Sequence, residues 1–333
     1  MSRQKRTGLL AIISTADELV DSDVYIDLEQ SVGIPLRLKC EGFNFAGSVK
    51  LRAATSMVAS GIRSGLIDEG TTLVESSSGN LGVALSVVAA ARSIRFVCVT
   101  DPKCNPATVK LMRALGSEVV VVDQPDESGS YLSARKALVR ELCERDAGFV
   151  WLNQYENPAN WLAHYENTAP LIGKQFPGLD VLFVGAGTGG TLSGCAHYFR
   201  ENRSAVRVVA VDTVGSVNFG MPPGPRHLPG LGASVPMPFV DPALVHDVVT
   251  VPERDAVRMC RRLARHGFLL GGSTGTVVSG AARWLAEHDP ERSLTAVAIS
   301  ADLGDRYIET VYDDAWVQDT YGILLTERED SNG

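Results

Sequence analysis

Two lobes, each a mostly parallel sheet flanked by helices and facing the other across a cleft, is the α/β architecture this sequence predicts. Three observations carry the expectation. Short apolar runs alternate with longer segments of helical character, and repeated βα units imply parallel strands with helices on both faces. The alternation comes in two sets, one before and one after residues 153–180. Several junctions where a strand hands over to a helix are rich in glycine and serine. A chain of 333 residues is long enough for two such cores.

In the first set, Ala53, Ala54, Met57, Val58 and Ile62 recur at helical spacing and place a helix from Lys50 onward. Residues 71–75 read as a strand, 81–91 as an Ala/Val/Leu-rich helix, and 94–99 as an apolar strand ending at Asp101. Residues 106–115 form a helix with Pro106 at its first turn. A buried strand at 118–122, a helix at 131–145 and a strand at 149–152 follow. The second set has strands at 181–184, 206–211 and 294–300, and helices at 191–200, 253–266 and 277–287. Glycine and proline crowd residues 220–238, a long loop over a site. The polar tail from Thr326 is expected to fray.

The chain is 45% hydrophobic and 21% charged, ordinary for a soluble globular protein. A formal net charge of −8 argues against nucleic acid and anionic membrane as partners. Six cysteines form no CxxC pair; they read as reduced, small buried hydrophobes, and no metal site is expected. Basic residues before a short apolar run at the N-terminus mimic a secretion signal. Asp17, Glu18, Asp21 and Asp23 follow at once, and no cleavage site stands out. No stretch approaches the roughly 18 apolar residues of a membrane span. A cytoplasmic protein is expected.

Four junctions carry the candidate chemistry. Gly47 and Ser48 make a tight turn that puts Lys50 on the first turn of a helix. There the positive end of the dipole lowers an amine's pKa and favours Schiff-base chemistry; a solvated surface lysine is the plainer alternative. Ser77, Ser78, Gly79 and Asn80 join a strand to a helix, where N–H groups and hydroxyls suit a carboxylate or simply cap the helix. Gly185, Gly187 and Gly190 match GxGxxG, and Asp212 ends the next strand about 20 residues on, so a dinucleotide fits. A single phosphate monoester fits the same loop through Gly187, Thr188, Gly189, Gly190 and Thr191. Ser273 stands before a helix, placed to meet a pyridine nitrogen or to cap the helix. A neutral hydroxyl makes a weaker electron sink than an aspartate and favours β-elimination. Lysine, Asn-bearing turn and phosphate cradle together suggest a pyridoxal-phosphate enzyme acting on amino acids.

In this order the four motifs resemble the fold-type II pyridoxal-phosphate enzymes of the cysteine synthase and cystathionine β-synthase group, over residues 21–321. Residues 153–160 are similar to that family's substrate-side segment. Residues 211–220, 228–234 and 302–307 are similar to its SbnA-like branch, the N-(2-amino-2-carboxyethyl)-L-glutamate synthases. These serve 2,3-diaminopropionate synthesis for siderophores and peptide antibiotics. The resemblance implies a tryptophan synthase β-like fold with pyridoxal 5′-phosphate in the cleft. It implies a larger phosphate-binding lobe of residues 1–45 plus 160–333 and a smaller, mobile substrate lobe of residues 46–159.

By the same resemblance Lys50 bears the Schiff base, Asn80 meets the cofactor hydroxyl, Gly187, Thr188, Gly189, Gly190 and Thr191 hold the phosphate, and Ser273 meets the pyridine nitrogen. Ser77, Ser78, Gly79 and Gln154 hold the substrate carboxylate, and Arg135 and Tyr155 recognise O-phosphoserine. From the sequence alone, Arg135 would sit on a basic solvated face with Lys136 and Arg140. The implied reaction is β-replacement on O-phospho-L-serine by the amine of L-glutamate through an α-aminoacrylate, in a homodimer. Phe45 and Ala46 depart from the usual Pro-Gly before the lysine, and Leu51 from the usual acidic residue after it. A nicotinamide-dependent oxidoreductase competes; it explains the glycines and Asp212 but not Lys50, Asn80 or Ser273. A non-catalytic binding protein on this fold is at odds with the presence of Lys50. Within the enzyme class, the rivals are a cysteine synthase using O-acetylserine or O-phosphoserine with sulfide, and a serine or threonine dehydratase.

Overall fold

A computed structural model describes residues 13–20, 23–127 and 129–323. The basic start of the chain, most of the apolar run after it, Asp21 and the tail from Thr326 lie outside the described residues.

The larger sheet opens with β1 (Tyr25–Asp27), turns through α1 (Leu28–Val32) and returns antiparallel as β2 (Arg37–Cys40). Asp27 caps α1 by accepting from Glu29 N and Gln30 N. The chain then builds the smaller sheet through α2 (Lys50–Arg63), β3 (Thr72–Ser76), α3 (Asn80–Ala91), β4 (Arg95–Thr100), α4 (Pro106–Ala114), β5 (Glu118–Val121), α5 (Tyr131–Arg145) and β6 (Phe149–Trp151). The strands lie in the order β5-β4-β3-β6, and every pair is parallel. β3 is buried along its whole length because its alternate side chains enter two cores. Leu73 packs with Met57 of α2 and Leu85 of α3, while Val74 packs with Val139 of α5. The strand expected to be buried at 118–122 is instead a sheet edge. Only β4 pairs with it, and its end residues Glu118 and Val121 are exposed.

The return runs through α6 (Pro158–Ala163), a π-helical turn (His164–Thr168) and α7 (Ala169–Gln175), helical segments the periodicity did not predict. Then come β7 (Val181–Gly185), α8 (Gly190–Asn202), β8 (Arg207–Thr213), β9 (Asp247–Val251), α9 (Glu253–Arg265), α10 (Gly272–His288), β10 (Ala296–Ser300) and α11 (Asp314–Tyr321). The larger sheet has the order β1-β2-β10-β7-β8-β9, parallel except at β1. Phe183, Val209 and Trp284 pack on one face, and Leu182, Val208 and Phe199 on the other. β1 and β9 were not expected as strands; both are partly exposed and lack a long apolar run. α10 begins at Gly272 rather than 277, so Ser273 lies inside its first turn. All six cysteines are free thiols; five are buried, and Cys143 is partly exposed rather than buried as expected. Among the described residues, no helix is long and apolar enough to cross a membrane.

Candidate active site

Asn44 organises the turn that presents Lys50. Its Oδ1 accepts from Ala46 N at 3.0 Å and Ser48 N at 3.4 Å, while its Nδ2 donates to Glu41 O and Ser48 O. Gly47 supplies the left-handed residue, with φ +65°. The turn is tied to the chain just past β10: Val49 N donates to Ala301 O at 2.7 Å, and Leu303 N to Gly47 O at 3.3 Å. Lys50 is thus the first residue of α2, beside the C-terminal end of β10. Its side chain keeps an opening to solvent while protein crowds the amine. Burial pushes the amine pKa down, and the Asp302 carboxylate opposes the shift. Burial, rather than the helix dipole assumed from sequence, is the leading cause. The departures around the lysine have a packing basis. Ala46 and Leu51 are fully buried in the core of the smaller sheet, while Phe45 is exposed.

One cavity brings together Lys50, Asn80, Gly187, Thr188, Gly189, Gly190, Thr191 and Ser273. Gly230 and Leu231, from the loop at 220–238, line it too. The glycines are sterically required. A Cβ on Gly187 would lie 2.5 Å from Gly230 O, and one on Gly190 would lie 2.3 Å from Asn160 Oδ1. Gly189 has φ +91°. Bare backbone therefore faces the cavity at the start of α8, where first-turn N–H groups lack intrahelical partners. Thr188 Oγ1 is buried there without a hydrogen-bond partner. Thr191 Oγ1 lies 3.3 Å from Nε2 of the buried His164, whose pKa is pushed down by burial and by nearby Lys50 and Arg52. An unpartnered hydroxyl beside bare N–H groups fits a phosphate monoester, so the residues present fit pyridoxal phosphate. Asp212, which a dinucleotide would need at the end of β8, is buried and accepts from Thr213 N at 2.8 Å.

The other expected residues lie at the C-terminal ends of β3 and β6 and on α5, outside the lining of that cavity. Ser77 Oγ accepts from Gly82 N at 2.9 Å and Gly79 N at 3.3 Å, so it caps α3. Ser78 and Gly79 are partly exposed at the start of α3. Gln154 Nε2 and Tyr155 OH both donate to Ser76 O, at 3.1 and 3.3 Å. Arg135 is buried, with Nε 3.2 Å from Asp101 Oδ2; it does not join the exposed basic face expected from sequence. Lys136 lies over the Tyr155 ring and Arg140 over Trp151.

Sequence reasoning missed two acids. Glu75 is fully buried at the end of β3, accepting from Trp151 Nε1 at 2.9 Å and Gln154 N at 3.1 Å. Burial pushes its pKa up to about 7 against these donors. Asp302, just after β10, bonds Asn80 and Ser273, and Arg306 holds Asn80 Oδ1 and Ala46 O. An acidic residue just past a central strand was the available signal for Asp302.

The family model described as "Pyridoxal-phosphate dependent enzyme" matches residues 25–301. An N-(2-amino-2-carboxyethyl)-L-glutamate synthase of Ralstonia nicotianae is 42% identical over 281 residues, 84% of this chain and 82% of the relative. One of Cupriavidus metallidurans is 40% identical over 285 residues, 84% of this chain and 83% of that protein. Among solved structures, an O-acetylserine dependent cystathionine beta-synthase from Helicobacter pylori superposes with TM-score 0.83 at 29% identity, covering 90% of this chain and 99% of that one. An O-ureido-L-serine synthase superposes with TM-score 0.80 at 32% identity, covering 92% and 99%. The two-sheet architecture is that of fold-type II, its cofactor is pyridoxal phosphate, and a match running from β1 to the residue after β10 places the chain in the family of pyridoxal-phosphate dependent enzymes.

Proposed function

We propose that the protein is an N-(2-amino-2-carboxyethyl)-L-glutamate synthase, replacing the phosphate of O-phospho-L-serine with the amine of L-glutamate. One observation carries the chemistry: Lys50 shares a cavity with the glycine-lined start of α8 and with Ser273. The two named relatives, similar over 84% of the chain, support the choice of product, and the phosphate leaving group rests on the buried Arg135.

When bound, pyridoxal phosphate supplies the electron sink that acidifies Cα of an amino acid and lets a group leave from Cβ. The N–H groups at the start of α8, with Thr188 and Thr191, would hold its phosphate, Asn80 its ring hydroxyl and Ser273 its ring nitrogen. Lys50 Nζ takes the Cα proton and returns it once the new C–N bond has formed. An amine whose pKa burial lowers suits that task near neutral pH. Ser77, Ser78, Gly79 and Gln154 bind the donor carboxylate, which requires Ser77 Oγ and Gln154 Nε2 to share or release their present partners. Arg135 and Tyr155 receive the departing phosphate; Arg135 Nη1 is buried without a hydrogen-bond partner, which supports that role. Residues 46–159 act as the mobile lobe whose closure excludes water. The same proposal makes the protein a cytoplasmic homodimer feeding 2,3-diaminopropionate to a siderophore or antibiotic pathway; light scattering tests the dimer.

The deciding experiment offers the purified protein O-phosphoserine or O-acetylserine, each with glutamate or sulfide, and identifies products by mass. The expected result is N-(2-amino-2-carboxyethyl)-L-glutamate with one phosphate released per product. Turnover with sulfide alone would make the protein a cysteine synthase instead.

A further inference from the structure

The glycine- and proline-rich loop at 220–238 reaches the cavity through Gly230 and Leu231, and an acid that this scheme leaves idle holds it there. Glu253, the first residue of α9, is buried. Its Oε1 accepts from His227 N at 2.9 Å and Leu228 N at 2.8 Å. Its Oε2 accepts from His227 N at 2.9 Å and from Tyr321 OH at 2.9 Å. Tyr321 is the last residue of α11, and its ring meets His227 edge to face. Burial and Glu253 push the Tyr321 phenol pKa up, so this group stays a donor. Backbone N–H groups and a phenol thus converge on two carboxyl oxygens. An amide in that place would turn an NH2 group toward a donor.

What these bonds hold is the wall of the cavity. Leu228 is buried with Ala256 and Val257 of α9 and with Tyr307. Two residues on, Gly230 adopts φ +104°, and its carbonyl oxygen fills the space that a Cβ on Gly187 would need. Leu231 packs over Gly185, where a Cβ would lie 2.7 Å from its Cδ2. Gly232 N then donates to Ala186 O at 2.8 Å, which ties the far end of the strap to the chain just past β7. Residues 228–232 are therefore a short strap fastened at both ends, with the phosphate cradle pressed against its middle. We infer that Glu253 is a positioning residue that latches this strap and so sets how long the protein retains pyridoxal phosphate, under the proposed seating of the cofactor's phosphate at the start of α8. Tyr321 completes the latch, so α11 acts on a cavity that it does not line.

The test loads the protein with pyridoxal phosphate, adds alkaline phosphatase to destroy whatever is released, and follows inorganic phosphate and the fading of the bound cofactor's absorption. Release through a local opening scales with the fraction of molecules that are open. Glu253→Gln should release the cofactor about ten- to hundredfold faster than the wild type, and Tyr321→Phe about two- to tenfold faster, the ranges for two hydrogen bonds and for one. Leu263→Ala removes core packing from the same helix α9 and touches none of these bonds; its release should stay at the wild-type rate. Release from Leu263→Ala as fast as from Glu253→Gln would reduce the effect to lost stability and overturn the inference. Should Glu253→Gln not fold, Tyr321→Phe decides alone, since the ring keeps its place against Trp316 and His227. Gly190→Ala, which crowds the cradle itself, checks the seating separately. Faster release from Gly190→Ala but from neither latch variant removes the latch and leaves the proposed function standing. Unchanged release from all three removes the seating, and the latch with it.

Discussion

The start of α8 and the layer beneath residues 77–80 hold polar groups by opposite means. At α8, backbone faces the cavity, and neighbours at 2.3–2.5 Å leave no room for a Cβ on Gly187 or Gly190. Beneath residues 77–80, side chains do the holding: Gln154 and Tyr155 grip the backbone carbonyl of Ser76, Trp151 grips Glu75, and Arg135 pairs with Asp101. A backbone cradle is set before any ligand arrives. A side-chain network must exchange partners when one does. Under the proposed assignment, the start of α8, as the cofactor side, should therefore be intolerant of added atoms, and the layer beneath residues 77–80, as the substrate side, sensitive to charge.

The largest effect lies where the two regions meet. Lys50→Ala should lower turnover by roughly 10⁴-fold, the upper range for losing a general base, and abolish covalent cofactor attachment. Phosphate release and borohydride labelling measure it, and retained turnover would remove Lys50 from the chemistry. Next comes charge. Arg135→Ala leaves the buried Asp101 without its partner, and should cost about 3–5 kcal/mol of stability in urea unfolding. It should raise KM for O-phosphoserine far more than for O-acetylserine; equal changes for both donors would refute its role with phosphate. Glu75 titrates in the same network. Its folded-state pKa of about 7 lies above the ordinary 4.5, so its protonated form favours the fold. That contribution is full below 4.5 and is lost as pH rises through about 7. Glu75→Gln should thus gain on the wild type across that window by about 3 kcal/mol, following the shift. A difference that is flat with pH would show Glu75 to be neutral or unperturbed. The smallest effect tests the cradle. Gly190→Ala forces a Cβ against Asn160, which is itself held by the Gln154 carbonyl at 2.7 Å. Overpacking of about 1–3 kcal/mol should weaken cofactor affinity roughly ten- to hundredfold in a spectral titration. Unchanged affinity would mean that the loop yields and the rigid-cradle comparison fails.

The same contrast explains what could be read from sequence. The cradle was legible because its requirement is local: consecutive glycines between an apolar strand and a helix mark bare backbone wherever they occur. α5 was found at its full length, with Ser130 capping it through Ser133 N. The inward turn of Arg135 was not legible, because only Asp101 at the far end of β4 distinguishes it from Lys136 and Arg140. Nor was the exposure of β5, which depends on sheet order. The start of α10 was hidden by glycines that look like helix breakers. Packing explains one of them, since a Cβ on Gly275 would lie 2.3 Å from Ala256 O. Asp302 was quoted only for family likeness; its partner Asn80 lies 222 residues away, beyond any local pattern.

The position of β10 has a consequence for synthesis. It lies between β2 and β7, and the residues just after it pair with the Lys50 turn. On the ribosome, β2 and β7 therefore remain separate pieces of sheet with no strand to join them, and the lysine turn has nothing to close against. The smaller sheet, whose strands are contiguous in sequence from β3 to β6, has no such delay. Emergence of β10 is the event that both joins β2 to β7 and gives the Lys50 turn its partner, so a chain cut before β10 lacks both however well its smaller sheet has folded.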